Sequence, residues 1–372
     1  MFIARIPRAI ALISAALCLG TPALGDATGM VDPVGPSDGK DIRKTLIADG
    51  IYQFTTWRDA YVRQLNSVVI VNRDDVLVFD TNTRPSCARA IIAEIRKITS
   101  KPVRFVVNSH WHPDHWSGNE VFAQAWPGLT ILATTKAAET MRNVSPTWPR
   151  QFAEELRKSR AGLEQEIRDG KQADGTPLTP ELRRKDDEDV RNYATFVDEC
   201  TRLHRVFPTL TYDDRLTLVR GDREFRFMEV VGDAIGSTVL YLPKEKILVT
   251  GDAVSYPIPY SAMSTSRHAA TLRELSKLDV DVIIPGHGPA FHDKQYLDLE
   301  SQLLDTIVQG VRDELRKGPL SLEEVQKAIT AEDLREKFTH GDRDLDARFR
   351  DRVKAIVKNA VREARGGTDL PQ

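Results

Sequence analysis

The chain has 372 residues, 41% hydrophobic and 28% charged, with 52 lysines and arginines against 54 aspartates and glutamates. That length and apolar content suffice for one large domain with a substantial core, or for one domain with an appendage. A formal net charge of −2 provides no overall basic field, which argues against a nucleic-acid partner.

Arg5 and Arg8 precede an apolar stretch, Ala9 to Gly20, that is too short to span a membrane, and Ala23-Leu24-Gly25 offers small residues for cleavage. This pattern predicts a signal peptide over 1–25, export to the periplasm or medium, and no stable membrane insertion after cleavage. Cys18 leaves with the signal. Cys87 and Cys200 remain; they do not make a disulfide framework, and whether they pair is left open. Residues 26–41, rich in Gly, Pro and Asp, read as a flexible leader.

Short β-like runs follow. Val68 to Val71 and Val76 to Phe79 flank Asn72-Arg73-Asp74-Asp75, a hairpin signature. Ala90, Ile91, Ile95 and Ile98 recur at helical spacing within Pro85 to Ile98. Val103 to Val107 and Leu129 to Ala133 read as strands. From Arg150 to Arg205 charged residues dominate, and Phe152, Leu156, Leu163 and Ile167, then Val190, Tyr193, Val197 and Cys200, mark narrow apolar stripes on either side of a turn-rich stretch. This predicts a helical hairpin inserted over 150–205, acting as solvated decoration, as a lid or as a dimer contact. Strands resume at Leu216 to Val219, Phe225 to Val231, Thr238 to Leu242 and Ile247 to Val249. A helix through Leu272, Leu275 and Leu278 leads to strand Val282 to Ile284. Phe349, Val353, Ile356, Val357 and Ala360 form one face of a helical tail that docks on the body.

Directly after strand Val103 to Val107 comes Ser109-His110-Trp111-His112-Pro113-Asp114-His115. In extended chain, residues i and i+2 face the same way, so His110 and His112 grip one cation while Asp114 and His115 turn toward a second. A lone histidine is usually structural; three histidines and an aspartate in six positions reverse that expectation. The remaining His204, His268, His292 and His340 read as structural or solvent-exposed.

His-x-His-x-Asp-His after a strand resembles the metallo-β-lactamase superfamily, and other landmarks of that family occur in order. Phe79-Asp80-Thr81 is similar to its strand-end Asp-Thr. Gly251-Asp252 stands where the family places a metal-bridging aspartate, and Pro285-Gly286-His287-Gly288 where it places its last histidine. The resemblance implies an α/β fold, a four-layer αβ/βα sandwich over 42–293 carrying the helical insertion, with a helical region at 294–372. It also implies two divalent metal ions, zinc foremost, at one edge of the sheets.

One landmark departs from the pattern. Where the family carries a further histidine, this chain reads Gly232-Asp233-Ala234-Ile235-Gly236. An aspartate still ligates, but its charge weakens the Lewis acidity of the centre and makes manganese or iron acceptable alternatives. The expected ligand set is therefore His110, His112, Asp114, His115, Asp233, Asp252 and His287. Asp114 also orients the water, Asp80 accepts a histidine N–H behind the ligands, and Tyr256 is a candidate oxyanion donor or a packing residue under its loop.

These features point to a metal-dependent hydrolase of small-molecule esters, lactones, thioesters or amide-type carbonyl compounds. The alternatives are a β-lactam-hydrolysing enzyme and a metal-binding accessory protein with degenerate catalysis. A homodimer is left open.

Overall fold

The computed structural model describes residues 34–36, 42–56, 64–144, 148–173 and 175–367. The expected signal segment lies outside them, and of the expected leader only Val34–Pro36 is described, as an edge strand.

The first sheet has eight strands side by side in chain order: β1 (Val34–Pro36), β2 (Ile42–Ala48), β3 (Ile51–Thr56), β4 (Leu65–Val71), β5 (Val76–Phe79), β6 (Val103–Val107), β7 (Thr130–Thr134) and β8 (Leu210–Tyr212). Pairing is antiparallel up to β5 and parallel from β5 to β8. The second sheet runs β9 (Arg215–Arg220), β10 (Arg223–Val230), β11 (Ser237–Leu242), β12 (Ile247–Gly251) and β13 (Val282–Pro285), antiparallel except for the parallel pair β12–β13.

Helices α1 (Pro85–Ile98), α2 (Pro113–Trp116), α3 (Asn119–Ala125), α4 (Thr135–Val144), α5 (Trp148–Asp169) and α6 (Pro180–Thr201) belong to the first half. The second half has α7 (Thr265–Leu275), α8 (Gln295–Arg316), α9 (Leu322–Ala328), α10 (Glu332–Thr339) and α11 (Arg343–Ala364). Local chemistry sets several boundaries. Pro85 opens α1 and Arg96 and Lys97 close it, complementing its dipole. Ser321 and Glu324 form a capping box on α9, and the Asp342 side chain accepts from the amides of Asp344 and Leu345 at the start of α11.

Alternation along β5 shows how the layers stack. Leu77 and Phe79 point between the sheets, into a core with Phe225, Phe227, Leu240 and Val249. Val76 and Val78 point outward, against Ala88, Ile91, Ile92 and Ile95 of α1. The outer face of the second sheet, through Val239, Tyr241, Leu248 and Ile283, packs on α7, α8 and α11. Helices, sheet, sheet and helices make the four-layer sandwich. Phe349, Val353, Ile356, Val357 and Ala360 are all buried in that last layer, so the C-terminal helices share the core of the second half. Among the described residues no helix is long and apolar enough to cross a membrane.

The hairpin of α5 and α6 closes on Leu156, Phe196, Tyr193 and Val197. At its foot the Glu199 carboxylate accepts from the Ser86 amide at 3.0 Å and pairs with Arg84 at 3.1 Å, against the first turn of α1. The parallel pairs β5–β6 and β12–β13 end at one common edge, and the segments that leave their carboxyl ends carry the candidate metal ligands.

Candidate metal centre

The candidate ligands follow the carboxyl ends of four strands. β6 delivers His110, and the turn into α2 delivers His112, Asp114 and His115. The loop between β10 and β11 delivers Asp233, β12 delivers Asp252 and β13 delivers His287. Their ligand atoms form two groups, His110, His112, Asp233 and Asp252, and Asp114, His115 and His287, with the atoms of each group within 4.8 Å of one another.

Asp252 lies between the groups. Its Oδ2 is 3.8 Å from His110 Nε2, 3.4 Å from His115 Nε2 and 3.5 Å from His287 Nε2. Asp114 Oδ2 is 3.3 Å from both His115 Nε2 and His287 Nε2. Asp233 Oδ2 is 3.4 Å from His112 Nδ1. These separations are long for hydrogen bonds, yet two ligands at about 2.0–2.1 Å from one tetrahedral ion stand about 3.3 Å apart. His110 Nε2, His115 Nε2, Asp233 Oδ1 and Asp252 Oδ1 are buried without hydrogen-bond partners, an arrangement that is costly unless a cation takes them. The residues present fit a divalent metal.

The surroundings fix which imidazole nitrogen is offered. Asp80 accepts from the Ser109 amide, the Ser109 hydroxyl and His115 Nδ1, each at 2.7 Å. With its proton given to Asp80, the Ser109 oxygen accepts from His110 Nδ1 at 2.9 Å. Both rings thus carry a proton on Nδ1 and aim Nε2 into the cluster.

Electrostatics describe the centre without a cation. Burial lowers His115, but Asp252, Asp114 and Asp80 together raise it well above the ordinary histidine range. Burial opposes His287 likewise, and Asp252 and Asp114 lift it to about 10. Burial and the neighbouring imidazoles of His115 and His112 push His110 well down. Burial raises Asp233 to about 6 against the pull of His112. Protons thus stand in for missing positive charge, and metal binding must displace them.

Of the two readings of Tyr256, packing under its loop matches the surroundings of its ring. Its ring stacks on Phe291 at 4.3 Å and meets Tyr296 edge-on, and the carboxylate its hydroxyl senses is Asp293, outside the cluster. Tyr260 is the tyrosine that feels Asp233 and Asp252. His268 is buried with Nε2 2.9 Å from the Ala253 carbonyl, and His204 pairs with Glu120 at the surface.

Several supporting residues escaped the sequence reading. Ser109 is one. Asn66 Nδ2 donates to the Pro285 and Gly288 carbonyls at 2.8 and 2.7 Å, and Gln53 Nε2 to Gly288 at 3.0 Å, clamping the loop that presents His287. Gly286 is the closest approach: a Cβ there would come within 2.0 Å of Asp252 Oδ1. No local pattern marks the glutamine or the asparagine, because their partners are more than 200 residues away.

The metallo-beta-lactamase superfamily model matches residues 60–287, the stretch that holds all seven candidate ligands. This chain belongs to the metallo-β-lactamase superfamily. Within the matched stretch it carries a His/Asp cluster compatible with metal. The linear primary-alkylsulfatase of Pseudomonas sp. (strain ATCC 19151) is 23% identical over 277 residues, 71% of this chain and 48% of that protein. The solved structure of the stereoselective inverting sec-alkylsulfatase Pisa1 from Pseudomonas sp. superposes with a TM-score of 0.59 at 18% identity, covering 85% of this chain and 49% of that one. The chain therefore spans about half the length of these two relatives. At such identity the structural likeness supports the shared fold alone.

Proposed function

We propose that this superfamily member hydrolyses an ester bond with two divalent cations, zinc foremost, held by His110, His112 and Asp233 on one side and by Asp114, His115 and His287 on the other, with Asp252 shared. The observation that carries the reading is the convergence of seven ligand atoms in two adjoining groups at one sheet edge. Bound there, such cations supply a water of lowered pKa and polarise the bond to be cut. Asp80 and Ser109 hold the Nδ1 protons of His115 and His110, which keeps Nε2 free to ligate. Asp114 is half-buried; His115 and His287 hold it well below the usual carboxylate range against the pull of burial, so it stays ionised and can orient the water.

A sulfate monoester is the substrate class we put first, because the two relatives named above are alkylsulfatases. Water would be added across the ester link to give an alcohol and inorganic sulfate. The carbonyl esters and lactones expected from the sequence come second, and β-lactams third. The 3.4 Å approach of Asp233 to His112 argues against a degenerate accessory protein.

The test is metal-loaded protein assayed on octyl sulfate, a carboxylic ester, a lactone and a β-lactam, with and without chelator. Chelator-sensitive release of sulfate is expected. Absence of turnover across the panel with both metals bound would favour the accessory role. Export belongs to the same proposal, on the basic, apolar and small-residue pattern of 1–25. N-terminal sequencing of protein from the producing cell should find a start near Gly25 or Asp26, and an intact Met1 on most molecules would overturn export.

A further inference from the structure

Helix α11 lies outside the stretch matched by the superfamily model, yet it is tied to the loop that follows Asp252. Asn359 Nδ2 donates to the Ser261 carbonyl at 2.6 Å and Arg362 to the Ala262 carbonyl at 2.8 Å. Glu363 accepts from the Ser266 amide at 3.2 Å. Arg348, Arg352, Asn359 and Arg362 follow helical spacing, so one polar stripe of α11 runs along this loop, while Phe349, Val353, Ile356 and Val357 enter the core.

The stripe carries two arginines with no carboxylate at ion-pair distance among the described residues. The Arg352 guanidinium lies 4.2 Å from the Tyr260 ring centroid. It is close enough to the cluster that its charge draws on the Asp233 carboxyl, below burial, His112 and Asp252 in weight. Arg348, one turn earlier, is pushed down to about 10 by burial and by the Arg352 charge beside it, and so stays charged at neutral pH. Among the described residues neither has a carboxylate ion pair, in a chain with 54 acidic residues. The contrast on the same helix is Arg350, which is exposed and pairs with Glu332 at 3.1 Å. A half-buried guanidinium with no carboxylate partner keeps donors in a fixed fork to offer an incoming oxyanion.

Charge balance at the centre points the same way. Asp114, Asp233, Asp252 and a hydroxide would cancel two divalent cations, leaving no net charge to attract an oxyanion. We infer that Arg352, backed by Arg348 and seated over Tyr260, is a specificity-determining residue that receives a singly charged oxyanion group of the substrate, the sulfo group of a sulfate ester before a carboxylate. The inference rests on the hydrolase reading for treating the ligand as a substrate. The anion site itself is open to direct measurement.

The probes are octane-1-sulfonate, which has no ester bond to cut, octanoate and octan-1-ol, titrated calorimetrically into metal-loaded full-length protein. Wild type should bind the sulfonate, bind octanoate more weakly, and not bind the alcohol measurably. Arg352→Gln should lose about 10- to 100-fold in sulfonate affinity, the scale of a lost charge-assisted hydrogen bond, with metal content and circular dichroism at wild-type values. Arg352→Lys should recover part of that loss, which a purely structural role would not produce. Arg348→Gln should show a smaller loss. Equal binding of alcohol and sulfonate by wild type, unchanged sulfonate affinity in Arg352→Gln, or loss of metal in that variant would each overturn the inference, the last by showing that Arg352 only balances Asp233. If octanoate binds more tightly than the sulfonate, the commitment to a sulfo group falls. Arg352-dependent sulfonate binding without turnover of any ester would instead sustain the anion site and defeat the hydrolase reading.

Discussion

Asp80→Asn isolates the charge behind the metal ligands. Asp80 has a backbone φ of 63°, in the left-handed region, and asparagine is among the few residues that tolerate it, so the turn should survive. The wild-type carboxylate accepts from three donors: Oδ1 from the Ser109 amide, and Oδ2 from the Ser109 hydroxyl and His115 Nδ1. An amide has one accepting oxygen. If that oxygen keeps the Oδ2 position, the new NH2 opposes the Ser109 N–H in a fully buried site, costing about 1–3 kcal/mol of stability. Loss of the negative charge also makes His115 a poorer ligand. Substitutions of this kind lower metal affinity by about 10- to 100-fold, or about 1.4–2.7 kcal/mol. The assay is competition against a chromophoric chelator, with circular dichroism to confirm the fold. An affinity within about 3-fold of wild type, well short of that range, would refute the assignment of Asp80 and Ser109 as the residues that set the imidazole tautomers.

Other expectations are open to equally direct checks. Gly286→Ala should abolish hydrolysis and weaken metal retention, since the new methyl would overlap Asp252 Oδ1; metal analysis and turnover decide it, and near-normal values would mean the loop yields easily. Asp233→Asn should weaken the metal at the His110 and His112 group by at least about 10-fold while the other group keeps its ion; equal loss from both, seen by titration with metal, would contradict the two-group arrangement. Burial depresses His268 to about 4, so the folded protein resists its protonation: stability from this residue is full above the unfolded value of about 6.5 and is lost as pH falls toward 4, by about 3 kcal/mol. His268→Gln, which keeps a donor for the Ala253 carbonyl, should flatten that part of the pH profile in urea unfolding at pH 7 and 4.5; an unchanged profile would show that the acid sensitivity arises elsewhere.

The sandwich was legible where strands are continuous apolar runs. β5 and β6 fall on the expected residues because both faces of the first sheet are buried and their sequences read Val-Leu-Val-Phe and Val-Arg-Phe-Val-Val. The leading strand β2 was not read, since Arg43, Lys44 and Thr45 break the apolar pattern on a half-exposed strand, and β3 was not read because its buried positions include the polar Gln53, Thr55 and Thr56. The candidate metal motif stood out for a different reason: side chains offered from one turn are close in sequence. Asp233, Asp252 and His287 come from separate strands and became readable only through family order. Tyr256 and Tyr260 could not be told apart in the sequence, because the direction of each ring depends on packing against Phe291, Tyr296 and α11. For the same reason the arginines of α11 gave no signal; helical spacing shows a stripe but not which loop it meets.

The central claim is that seven side chains hold two metal ions that hydrolysis requires. Elemental analysis of full-length protein, prepared without added metal and then reconstituted with zinc, manganese or iron, tests it together with turnover on the ester panel. Two ions per chain are predicted, with activity lost on chelation and restored on reconstitution. One ion or none in the active protein, or hydrolysis that survives complete chelation, would contradict it.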